Sequence, residues 1–69
     1  MDLRKARKAK GWTLERVADL IGVKSVMTVS RHERGVDYPR PKLMARYAAI
    51  YDGLLDEGAV RDNYRKAKV

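Results

Sequence analysis

The chain has 69 residues, with 16 Lys+Arg against 9 Asp+Glu and a formal net charge of +7. That length allows one small domain with a modest core, and the absence of cysteine excludes disulfides and thiolate chemistry and fits a reducing cytosol. The longest run without a charged residue or histidine, SVMTVS, is far short of the roughly 20 residues of a membrane span, and no apolar stretch follows the basic N-terminal residues to make a signal peptide.

The first helix is predicted over Leu3–Lys10, with Asp2 as N-cap and Gly11 just past its end. Leu3 and Ala6 face the core in this reading, and the five basic residues between Arg4 and Lys10 face solvent or, for one or two of them, phosphate. Thr13 is a good N-cap for a second helix. Leu14, Val17, Ala18 and Ile21 then fall at i, i+3, i+4 and i+7, the spacing of one buried helical face. Gly22 ends that helix, because glycine enters the left-handed region without a Cβ penalty.

Ser25 caps a third helix over Val26–Arg34, closed by Gly35. Val26, Thr28 and Val29 are mediocre helix formers, so packing against the second helix has to hold this segment. Pro41 suits the first position of a fourth helix, whose expected apolar face is Leu43, Met44, Tyr47, Ala48, Ile50 and Tyr51, and whose expected end is Gly53. A fifth helix over about Glu57–Lys66 follows from Asp56 as cap, with Val60 and Tyr64 on one side and Gly58 as a weak point. No stretch reads as a strand. The fold class is therefore all-α, a compact bundle of four to five short helices forming one domain over 1–69.

Two short helices joined by a tight turn, within a chain of charge +7, suit duplex DNA, which is a dense line of phosphates. Enzyme chemistry finds no support. One histidine and no cysteine leave the usual zinc sites without ligands. His32 beside Ser30 and Glu33 in one short helix is no triad, and no phosphate-binding glycine loop is present. No metal or cofactor is expected.

From Leu3 to about Tyr51 the sequence resembles the Cro/repressor-type helix–turn–helix family, also called the XRE family, with its lambda-repressor-like fold. The matching residues are Arg4, Arg7, Gly11, Thr13, Ala18 and Gly22, then Val29-Ser30-Arg31, Glu33-Arg34-Gly35 and Tyr38-Pro39. The resemblance places the helix–turn–helix at about 13–34 and the third helix in the major groove, where base edges are distinguishable. Val26, Met27, Thr28, Ser30 and Arg31 are then the base-reading candidates. Arg31 is the sharpest, since arginine pairs bidentately with guanine. Val26 and Met27 suit a thymine methyl, Val26 having a place in the core as its alternative. Thr28 and Ser30 suit bases or phosphates. Phosphate contacts are expected from Thr13 and the N–H groups of the second helix, and from Lys24, Arg34, Tyr38, Arg40 and Lys42. Arg7 and Glu33 match a salt-bridged pair that ties the first helix to the third in relatives.

The pattern departs from the family at three points. One extra residue separates Gly22 from Val29, Leu14 stands where many relatives carry a phosphate-touching glutamine, and His32 occupies a usually apolar or aromatic position. The resemblance implies a cytoplasmic DNA-binding regulator, on the nucleoid when bound. It would be a repressor acting as a homodimer on a palindromic operator, without a small-molecule effector. Leu54, Leu55, Val60 and Tyr64 are its candidate dimerisation residues within a C-terminal segment over 54–69, with core completion as their alternative. An antitoxin or restriction–modification controller of the same fold is a second reading. A module whose third helix contacts a partner protein is a third.

Overall fold

The computed structural model describes residues 1–68; residue 69, the end of the expected C-terminal segment, lies outside them. Five helices follow one another: α1 (Leu3–Lys10), α2 (Leu14–Ile21), α3 (Val26–Arg34), α4 (Pro41–Tyr51) and α5 (Glu57–Lys68). No strand occurs among the described residues.

Local chemistry sets most of the boundaries. The Asp2 carboxylate accepts from the Lys5 N–H at 2.9 Å, Thr13 Oγ1 from the Arg16 N–H at 3.1 Å and Ser25 Oγ from the Met27 N–H at 3.2 Å. At the other end of α2, Gly22 takes φ 78, which lets its own N–H reach Asp19 O and the Val23 N–H reach Ala18 O. α4 begins on Pro41 without a side-chain cap, and its end differs from the expected glycine. Asp52, at φ 45, makes the left-handed step, and Gly53 at φ 87 only continues the turn. Aspartate is among the few non-glycine residues that tolerate this region. Gly58 does not weaken the start of α5, because its N–H is held by the Asp56 carboxylate at 2.9 Å.

The core is built from one stripe per helix: Leu3 and Ala6, then Val17, Ala18 and Ile21, then Val29, Met44, Tyr47, Tyr51 and Val60. Full burial of residues such as Val17, Ile21 and Val29 stabilises by about 1.5–3 kcal/mol each. α4 runs through the centre, with the parallel rings of Tyr47 and Tyr51 6.2 Å apart. Its apolar face is narrower than the sequence suggests: Ala48 is exposed, and Leu43 and Ile50 are half-buried. Trp12, between α1 and α2, leans on Tyr51 at 5.8 Å.

Three long-range tethers reinforce this packing. Arg7 grips Glu33 with two bonds, Nε to Oε2 at 2.7 Å and a second guanidinium nitrogen to Oε1 at 3.3 Å, while donating its third nitrogen to Trp12 O at 2.9 Å. Arg46 of α4 donates to Ile21 O at 2.8 Å, filling an orphan carbonyl at the end of α2. Asn63 of α5 does the same for α3, donating to Glu33 O at 2.9 Å. α3 is thus held by α1, α2 and α5 together.

Candidate nucleic-acid interface

α3 has two sides of opposite character. Val29 is fully buried and His32 is 6% exposed, one turn apart on the inner side. Met27, Arg31 and Arg34 are exposed on the outer side, with Ser30 half-buried beside them. Met27, Ser30 or Arg31, and Arg34 stand at i, i+3 or i+4, and i+7, so they form one outward row. Val26 and Thr28 are half-buried on the flanks of that row. The row contains four of the residues that sequence reasoning divided between bases and phosphates. Arg34 shares the face of Ser30, to which its Nε donates at 3.2 Å.

Three residues, Val23 to Ser25, connect Gly22 to α3. Val23 packs half-buried against the core, Lys24 points to solvent, and Ser25 caps α3. Leu14 is likewise partly buried on the core, which accounts for an apolar residue at that position. His32 completes a polar contact inside the bundle, its Nδ1 sharing a 2.8 Å hydrogen bond with the Tyr47 hydroxyl. Burial lowers the His32 pKa below the ordinary 6.5, against the weaker pull of the Asp37 carboxylate. Burial also raises the Tyr47 phenol, aided by Tyr51 and Glu33, so the hydroxyl stays protonated. The Tyr51 hydroxyl is raised by the same cause, then by Glu33, and is buried without a hydrogen-bond partner among the described residues.

The other phosphate candidates are exposed: Thr13 at the start of α2, Lys24 in the turn, and Arg40 and Lys42 at the start of α4. Helix starts present free N–H groups suited to anions. Tyr38 is half-buried, edge-on to Tyr64 at 5.6 Å. A cleft lined by Thr28, Tyr38 and Arg40 runs between α3 and the start of α4. Arg4, Lys5 and Arg7 of α1 line a second cleft with Ser30, Glu33 and Arg34 of α3 and with Asp2. Arg7 is held there by Glu33, which leaves Arg4 and Lys5 as the exposed helix-1 cations beside α3.

The expected dimerisation residues are not one free patch. Val60 is 3% exposed within the chain's own core, where it is closed to a partner. Leu54 and Leu55 are half-buried against the same core, and Tyr64 rests on Tyr38. Sequence reasoning missed Arg46, Asn63 and Asp37. The last lies in the loop after α3, with its carboxylate 3.6 Å from the Arg31 guanidinium. No group of three or more His, Cys, Asp or Glu able to hold a metal occurs among the described residues. No described helix is long and apolar enough to cross a membrane.

A capped α2, a left-handed glycine turn, and an α3 docked on one side and bare on the other define a helix–turn–helix module with basic flanks. The helix–turn–helix family model matches residues 3–57, most of the chain. The protein belongs to that family in its Cro/C1-type, XRE form, a family of DNA-binding transcription regulators. No curated protein and no solved structure matches it.

Proposed function

We propose that this chain reads a specific duplex sequence as a homodimer on a palindromic operator and represses by occluding a promoter. The observation that carries the reading is the outward row of α3. Met27, Ser30, Arg31 and Arg34 are free of the core, while Val29, His32 and Glu33 hold the helix from behind. Arg31 reads guanine, Met27 touches a thymine methyl, and Val26, Thr28 and Ser30 adjust the fit from the flanks. Thr13, Lys24, Tyr38, Arg34, Arg40 and Lys42 grip the backbone and set the register. Leu54, Leu55 and Tyr64 contribute the partner contact, and Val60 supports them from within. A protomer this small covers one half-site, so two copies about one helical turn apart read a palindrome.

Selection from a randomised duplex pool at near-physiological salt tests the reading. Enrichment of a palindrome with half-sites roughly ten base pairs apart is expected; retention without enrichment would reduce the protein to a phosphate binder. On the selected operator, Arg31→Ala should lose about 1–3 kcal/mol at one base position only. Arg40→Ala should weaken all sequences alike and lower the salt slope by about one.

A further inference from the structure

We propose that Asp37 is a positioning residue that aims Arg31 at a base and keeps it from the phosphates, an inference resting on base reading by α3. Its place is fixed by the end of the helix. Gly35 turns left-handed at φ 77, and the Val36 N–H returns to Arg31 O at 3.0 Å. The Asp37 N–H approaches the same carbonyl at 3.4 Å. This fold-back sets the Asp37 carboxylate 3.6 Å from the Arg31 guanidinium, so both the backbone and the side chain of the loop meet one residue of α3. Both side chains remain about half exposed, at 55% and 54%.

The chemistry follows from the shape of the guanidinium, a planar fork of five N–H donors. A carboxylate at one edge limits the rotamers of a long side chain and leaves the remaining donors for the O6 and N7 acceptors of guanine. It also cancels the charge that would otherwise draw Arg31 to a phosphate. The other charged or titratable groups lining the cleft beside Asp37 are Arg40, the phenols of Tyr38 and Tyr64, and His32, whose pKa burial lowers. Arg40 is therefore the cation left to hold phosphate there, while the Arg31–Asp37 pair presents donors without net charge.

The test compares the parent protein with Asp37→Asn, Asp37→Glu, Arg31→Ala and the Arg31→Ala/Asp37→Asn double variant. Each is titrated with the selected operator and with an operator changed at the Arg31-dependent base, over a range of salt. Asp37→Asn should reduce discrimination between the two duplexes about three- to fivefold, the reach of an exposed ion pair. It should also raise the affinity for both and steepen the salt slope by about one, as Arg31 turns to phosphate. Asp37→Glu should restore most of the discrimination. In the Arg31→Ala background, Asp37→Asn should leave discrimination unchanged. Unaltered discrimination in Asp37→Asn, or the same loss with Arg31 absent, overturns the inference while base reading by Arg31 stands. No base preference in the parent protein removes both.

Discussion

The two helices of the reading unit are built on opposite principles. α2 has its bounds and its buried face written in its own sequence: a threonine cap, an apolar stripe from Leu14 to Ile21 and a glycine stop, with Arg46 as its one side-chain tether from another helix. α3 buries only Val29 and His32 and carries β-branched residues in its first turn. Its position depends on Arg7, Tyr47 and Asn63, which lie 15 to 30 residues away along the chain. The difference teaches how a recognition helix stays free to vary. Because distant side chains dock its inner side, the outer positions carry no share of the folding task.

Cutting a tether should break this contrast most severely. Glu33→Ala leaves the Arg7 guanidinium, 15% exposed, with only the Trp12 carbonyl, and should cost about 3–5 kcal/mol. Thermal denaturation checks it, with base preference of the folded fraction unchanged; an unaltered melting temperature would show that α3 stands without α1. The two turn glycines sharpen the comparison at a smaller scale. Gly22→Ala and Gly35→Ala both incur about 1–2 kcal/mol for left-handed backbone. At Gly35 the added Cβ would also lie 2.7 Å from the Asn63 carbonyl oxygen, which is backbone. At Gly22 it meets only the end of the Arg46 side chain at 3.1 Å. Gly35→Ala should therefore lower the melting temperature more, and equal losses would mean that α5 yields easily.

The smallest effect is the pH dependence of α3 docking. Native His32 holds its proton less firmly than unfolded His32, whose ordinary value is 6.5. Between that value and the lowered native one, the unfolded chain binds more protons, so stability rises with pH. The contribution is complete above 6.5 and is lost as pH falls through the native value. Melting curves from pH 7.5 to 5 should show this decline, and His32→Gln should flatten it. An equal slope in His32→Gln would assign the dependence to other groups.

Much of this fold was legible from local signals. Asp2, Thr13 and Ser25 marked helix starts, Gly11, Gly22 and Gly35 marked ends, and the spacing of Leu14, Val17, Ala18 and Ile21 gave the buried face of α2. Periodicity could not reveal Arg46 or Asn63, whose exposed-looking polar side chains act on carbonyls 25 and 30 residues away. It also overstated α4, where Ala48 follows the apolar pattern yet faces solvent, and it could not separate Val60 in the core from Tyr64 near the surface. Of the candidate site, the identity of the outward residues was legible. The flanking places of Val26 and Thr28 and the alignment of Arg34 with Ser30 depended on the course of Val23 to Ser25 into α3, which only three-dimensional packing decides.

Trp12 is the one tryptophan of the chain, and it sits on Tyr51 at the junction of α1, α2 and α4, with the Lys10 ammonium 5.7 Å from the centre of its ring. It is absent from the α3 row, although its neighbour Thr13 stands at the exposed start of α2. The molecule consequently carries a built-in optical probe at the joint of its scaffold. Its emission should follow unfolding closely, so assembly of the bundle can be read without any added label.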